Sequence, residues 1–297
     1  MSDMAKKSAI YQPNEYTIRK GGKAFGIFGV IMLIIWSLIN LYPLFWMITF
    51  SLKDNQQIQK THRFLLPKGL PNEWHWENYK ALDYSSLLTY FKNSVIVTAL
   101  AILISMVAAM MASYAIMRIQ WKASKAVNRM FLLGITIPVQ ASLVPVYMIC
   151  RYFDWLDTRW SLIIPYAAFA LAMSILIANS FIVGIPKDLD EAAYIDGCSR
   201  YGVFFRIIVP LMLPSVSTIA IYSFLQCWNE LMFASVFVSS SEYRTLPVGV
   251  QSYTGTFTVK WGPIGAVITI ATIPMVITYV LLSRKIQESF IAGAIKG

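Results

Sequence analysis

Six long stretches without a charged residue set the terms for what this chain can fold into. They run over 24–52, 93–117, 130–150, 160–186, 207–229 and 261–283, each at least 21 residues long. About 20 residues in a helix cross the roughly 30 Å hydrocarbon layer of a bilayer. All six are rich in Ile, Leu, Val, Met and Phe, and none alternates strictly apolar with polar as a membrane barrel strand does. In lipid, backbone polar groups have to be satisfied within the segment, which makes six transmembrane helices the economical reading. Composition agrees: 57% of residues are hydrophobic and 13% charged, against about 45–50% and about 25% in ordinary globular chains. The mean hydropathy is +0.57. The expected class is all-α and integral to the membrane. The first stretch is longer than a signal-peptide core and shows no clear small-residue cleavage site, so it is expected to be retained.

Lys and Arg outside these stretches orient the chain. The segments 1–23, 118–129, 187–206 and 284–297 hold 15 of them, and the three intervening segments hold ten over a greater length. Excess Lys and Arg stay on the cytoplasmic side, which predicts cytoplasmic N- and C-terminal tails (1–23 and 284–297) in a multi-pass protein of the bacterial cytoplasmic membrane. The net charge of +10 thus falls beside membrane ends, where anionic lipid headgroups are its natural partner. A nucleic-acid patch would need a soluble face, and none is left.

Eight prolines interrupt the stretches: Pro43, Pro138, Pro145, Pro165, Pro210, Pro214, Pro263 and Pro274. Mid-helix proline removes a hydrogen bond and kinks a helix. Packing geometry and a bundle that bends account for them equally well.

The segment 187–206 carries four of the chain's fifteen acids, Asp188, Asp190, Glu191 and Asp196. Pro186 closes the preceding span, and Asp188 or Asp190 is expected to cap a new helix, with Glu191 favouring its dipole. Ala192 and Ala193 propagate that helix without bulk, Gly197 ends it with a left-handed cap, and Ser199 caps a second short helix leading into the next span. A short helix so rich in acids suits an anionic leaflet poorly. Its small face and its carboxylates suit a protein partner.

Glu191-Ala192-Ala193, three residues, Gly197, nine residues, then Ile207-Ile208-Val209-Pro210 resembles the EAA loop of ABC-importer transmembrane subunits, with Cys198 and Val209 as small departures. Trp228-Asn229-Glu230-Leu231, Arg244-Thr245-Leu246-Pro247-Val248-Gly249, Glu77-Asn78-Tyr79, Asn93-Ser94 and the terminal 292–297 extend the likeness to maltose-type carbohydrate permeases, and to the shorter of their two subunits. The resemblance implies a type I importer permease fold with a cytoplasmic coupling helix. It also implies a second homologous permease subunit, two ATPase subunits, an extracytoplasmic solute-binding protein and a carbohydrate substrate. Glu191, Ala192, Ala193, Asp196 and Gly197 would contact an ATPase. Ser239, Ser240, Gly249 and Gly255, in a segment whose glycines and serines suit a mobile loop, would face the binding protein.

Nothing in the chain has the Gly-x4-Gly-Lys-Ser/Thr pattern of a phosphate-binding loop, so ATP and magnesium are expected on partner subunits and no cofactor on this one. His62 and His75 lie in the first outer segment and read as surface residues. No catalytic constellation stands out. Polar residues in or beside the spans are the candidates for a substrate pathway: Asn93, Gln140, Asn179, Gln226, Asn229 and Glu230. Interhelical hydrogen bonding is the competing use of each. A secondary transporter or channel working without an ATPase is the rival class, although it would need ion or proton sites that uncharged spans do not offer.

Overall fold

A computed structural model describes residues 21–59, 66–119, 121–253 and 260–294, with side chains described between 26 and 281. His62, Gly255 and most of the tail charges lie outside these residues. All regular structure among the described residues is helical.

Helix α1 (Gly21–Ser51) is apolar on every side, and residues 26–45 are exposed or half-buried within this chain. Only its last turns pack, where Gly265 comes so close that an added Cβ would lie 2.7 Å from the Phe50 ring. The short α2 (Asn55–Gln59) and α3 (Glu77–Lys80) follow. Asn78 stitches this corner by donating to the carbonyls of Ser51 and Lys53, each at 2.8 Å. Lys53 is buried there, and burial pulls its ammonium pKa below the ordinary range.

Helix α4 (Tyr84–Met117) begins nine residues before the expected span, because Asp83 caps it by accepting from the Ser85 and Ser86 amides. At 34 residues and 1.5 Å per residue it is about 50 Å long, so its first turns stand outside the hydrocarbon. Helix α7 (Trp160–Val183) lies along it. Ala101, Ser105, Ala109 and Ser113 on α4, and Ala170, Ser174 and Ala178 on α7, recur every fourth residue and are all buried. Without a hydrophobic drive between helices in lipid, such small residues let backbones approach and gain dispersion contact. The two helices run parallel: Arg159 at the start of α7 bonds Asn93 near the start of α4, and Arg118 at the end of α4 bonds Ile182 near the end of α7.

Two expected spans are not straight. The third is α5 (Ser124–Gly134), then a 3-10 turn (Val139–Ser142) and α6 (Leu143–Tyr152), bent by 97°. Pro138 holds an extended conformation at this break. The fifth is built from α9 (Arg200–Val203), a π-helical turn (Phe204–Ile208), α10 (Val209–Leu211) and α11 (Leu213–Trp228), bent by 71°. Pro210 and Pro214 withhold two backbone donors at the break, and each sits at the start of its helix, where no donor is needed. Between α7 and α9 lies α8 (Asp188–Ile195), and beyond α11 come α12 (Met232–Phe237), α13 (Leu246–Ser252) and α14 (Trp261–Ala294). Among the described residues four helices are long and apolar enough to span, and each bent pair taken as one crossing brings the number to six. Helix α11 runs antiparallel to α4 and α7, α14 packs on α11 and α1, and α5 packs on α4 and α7.

Candidate functional site

One end of the bundle gathers the chain breaks 118–123 and 184–209, and α8 sits there. Neither Asp188 nor Asp190 caps it as expected. Lys187 occupies the N-cap without a side-chain bond, and Asp188, Asp190 and Glu191 fill the first turn, where the dipole favours their charge. At the other end Gly197 adopts φ +80°. Its amide donates to Tyr194 O at 3.1 Å, and the Cys198 amide reaches back to Ala193 O at 2.9 Å. This is the paired C-terminal capping pattern that needs a left-handed residue. Ser199 caps α9 by accepting from the Gly202 amide.

The two faces of α8 differ in use. Asp190 and Ala193 are buried against the bundle end, and Ala193 packs in a cluster with Met110, Tyr114, Ile182, Val203 and Phe204. Glu191, Ala192, Asp196 and Gly197 face outward, and beside them Ile195 is 86% exposed. The outward residues therefore form a bare surface with an apolar knob. Ala193 belongs to the chain's own core, so the two alanines do not jointly present a small face outward. Arg118, counted in the sequence only as an orienting charge, is buried here. Its Nη1 lies 3.5 Å from Asp190 Oδ2, and its Nη2 donates to the Ile182 and Ile185 carbonyls.

The opposite end is tied as firmly. The Asp157 carboxylate accepts the Ser239 and Ser240 amides at 2.9 and 2.8 Å, while its own amide donates to Phe237 O. The Ser240 amide, with that of Ser239 and the nearby Arg244 charge, holds the Asp157 pKa below its ordinary 3.8. Asn93 is buried. It donates to the Glu242 and Arg244 carbonyls and accepts from Arg159 Nε at 2.9 Å, and the Arg159 guanidinium lies 5.2 Å from the centre of the Tyr243 ring. Ser94 accepts the Leu246 amide. Gly249 stands inside α13, pressed on Tyr90 so closely that a Cβ would lie 2.2 Å from the ring. The segment carrying Ser239, Ser240 and Gly249 is thus laced to α4 and α7 through residue 249, and the mobile-loop reading does not hold for it. Glycine there serves close packing, and the serine amides serve as donors. Asp157 and Arg159 were not singled out in the sequence, since nothing local marks a loop Asp or Arg as the partner of a segment 80 residues away.

The polar residues of the spans divide into two sets. Asn93 leaves the pathway set, because all of its amide is spent on the outer lacing. Asn179 is buried and donates to Asn128 of α5. Glu230 accepts the Phe233 and Ala234 amides and the Tyr166 hydroxyl, which makes it an anchor for α12. Gln140, Gln226 and Asn229 remain exposed. Gln226 lines a cavity of about 90 Å³ together with Tyr166, Phe169, Tyr222 and Glu230, beside the break in the third span. Among the described residues no group of three or more His, Cys, Asp or Glu is placed to hold a metal ion.

Residues 101–290 match the family described as the binding-protein-dependent transport system inner membrane component. Over 267 residues the chain is 34% identical to the probable ABC transporter permease protein YurM of Bacillus subtilis (strain 168), covering 90% of this chain and 87% of that one. It is also 34% identical over 273 residues to MalG, the trehalose/maltose transport system permease protein of Thermococcus litoralis, covering 90% and 96%. Among solved structures, a bacterial ABC transporter involved in the import of the acidic polysaccharide alginate aligns with a TM-score of 0.76 at 20% identity, over 89% of this chain and 97% of that one. That last likeness is one of fold. With a matched region that takes in α8, part of the second span and all of the third to sixth, the chain belongs to the inner membrane components of binding-protein-dependent transport systems, as a permease subunit of an ABC importer with the all-helical type I fold.

Proposed function

We propose that this subunit serves the uptake of a carbohydrate, in the oligosaccharide range, delivered by an extracytoplasmic solute-binding protein. Its role in transport comes with its family, and the sugar is supported by the trehalose/maltose relative. In this reading it pairs with a second homologous permease subunit, and each of the two docks one ATPase subunit that binds ATP and magnesium. Both tails and α8 lie in the cytoplasm, and the laced end with Ser239, Ser240 and Gly249 meets the binding protein.

The observation that carries the docking role is the division of α8. One face is built into the bundle, and the other leaves Glu191, Ala192 and a nearly naked Ile195 exposed among the described residues. An exposed Ile on a polar-ended helix outside the spans is stabilised by burial in a partner's groove. Gln140, Gln226 and Asn229 are the pathway residues of this chain, since exposed amides within spans disfavour lipid and suit a wet cavity between subunits.

Reconstitution tests the whole reading. Proteoliposomes holding both permease subunits and the ATPase should take up sugar only with ATP and the binding protein. Uptake by this chain alone, without ATP, would instead establish a self-contained transporter or channel.

A further inference from the structure

We infer that Arg118 is a positioning residue for coupling: it turns α8 from a tethered segment into a rigid lever on the ends of α4 and α7. The inference rests on the docking role of α8 proposed above and adds how motion leaves that helix. Covalently, α8 joins α7 only through residues 184–187, so a push on its outer face could be lost by bending that short link. Arg118 closes the gap. Its own amide continues α4 by donating to Tyr114 O at 2.9 Å. Its Nη2 takes the Ile182 and Ile185 carbonyls at 3.0 and 2.5 Å, where a helix C-terminus leaves acceptors unfilled and carries negative dipole charge. Its Nη1 faces Asp190 at 3.5 Å, with only 5% and 10% of the two side chains exposed. One guanidinium fork therefore touches three elements: its Nη2 hydrogen-bonds the end of α7, and its Nη1 is in charge contact, without a hydrogen bond, with Asp190 of α8, a division that a lysine point charge cannot reproduce.

A second, weaker tie sits one turn away, where the Tyr114 hydroxyl meets Tyr194 at 3.4 Å and donates to Arg200 O at 3.2 Å. Both ties lie on the inward side of α8. The outward residues Glu191, Ala192 and Ile195 touch neither, so docking and transmission are carried by opposite faces. Removing one partner of a buried ion pair leaves the other charge uncompensated and is destabilising. Arg118→Met is therefore expected to lower the yield of complex, while in the complexes that assemble the lever has lost its fastening.

The test uses the assembled importer in proteoliposomes and reads the number of sugar molecules taken up per ATP hydrolysed. A merely structural residue would change the yield of complex and leave this ratio alone. Arg118→Met should still co-purify with the ATPase and hydrolyse ATP. Its ratio should fall by a factor on the order of 5–150, the span of typical coupling free energies. Arg118→Lys, which keeps the charge but not the fork, should recover part of the ratio. Asp190→Asn is nearly isosteric and serves as the second variant, expected to lower the ratio less than Arg118→Met. An unchanged ratio in assembled Arg118→Met complexes overturns the inference. So does an unchanged ratio in Asp190→Asn should Arg118→Met fail to assemble. A wild-type chain that binds no ATPase is a separate result, and it would remove the docking role of α8 itself.

Discussion

At the scale of single residues, two positions show a backbone demand answered by chemistry. Gly197 sits at φ +80° with no atom within 4 Å of a would-be Cβ, so a side chain there meets no clash and costs only the left-handed conformation. Gly197→Ala should destabilise the α8 cap by about 1–2 kcal/mol, and Gly197→Asn by less, read as thermal unfolding of the purified complex. The spacing to Ser199 and the glycine itself made this cap legible in the sequence. Asp157 was not legible, because its two amide partners come from another loop. It also adopts a left-handed φ of 57°, which Asp and Asn tolerate better than most residues. Its carboxylate pKa is depressed in the folded chain, chiefly by the Ser240 amide. A depressed acid contributes stability that is present above its ordinary pKa and lost as pH falls through the folded value. The protection of the Ser239 and Ser240 amides, measured relative to intrinsic exchange at each pH, should accordingly stay constant above about pH 4 and fall only below it. Asp157→Asn keeps an acceptor and the backbone preference, so the protection should lose this pH dependence.

At the scale of elements, what counts is which face a helix shows and to what. The fourfold recurrence of Ala101, Ser105, Ala109 and Ser113 against Ala170, Ser174 and Ala178 is a signal present in the sequence. A reading based on uncharged stretches passes over it, because hydropathy does not separate a small residue from a lipid-facing one. Ala109→Leu should overpack this seam and cost about 1–3 kcal/mol, whereas Met111→Leu, at an exposed position of the same helix, should be nearly neutral in thermal unfolding. Helix α8 poses the same question in miniature. Its existence, its end and its relation to the EAA pattern follow from the sequence, but the assignment of Ala192 outward and Ala193 inward depends on where Arg118 pulls Asp190. Ala193→Leu should lower the stability of the permease by about 1–3 kcal/mol through overpacking. Ala192→Leu should leave stability alone and weaken co-purification with the ATPase. The bends in the third and fifth spans were half legible: the prolines mark where, but a missing donor sets no angle, and nothing in the sequence pattern marks the π-helical turn Phe204–Ile208 before Pro210.

At the scale of the whole molecule, the parallel pair α4 and α7 connects two tied ends. Asn93 and Arg159 lace them to the 238–246 segment, and Arg118 ties α4 to Ile182 of α7 and to Asp190 of α8. The two ends are thus joined by two helices packed along small residues rather than by loops alone. Which end faces the cytoplasm rests on 15 against ten Lys and Arg, and burial trims that count equally on the two sides. Lys53 is buried on the less basic side and Arg118 on the more basic one, so each side loses one charge from its headgroup-facing total and the bias survives. Cysteine labelling checks the consequence directly. Native Cys150 and Cys227 are buried, and Cys198, half-buried, is first replaced by serine. Ser241→Cys, at an exposed position of the laced end, should react with a membrane-impermeant maleimide added to intact cells. Ile195→Cys should react only in inverted vesicles, and only until the ATPase is added back to cover it. Labelling of Ile195→Cys from outside intact cells would reverse the orientation. Equal labelling with and without the ATPase would leave the exposed face of α8 without the partner that its chemistry calls for.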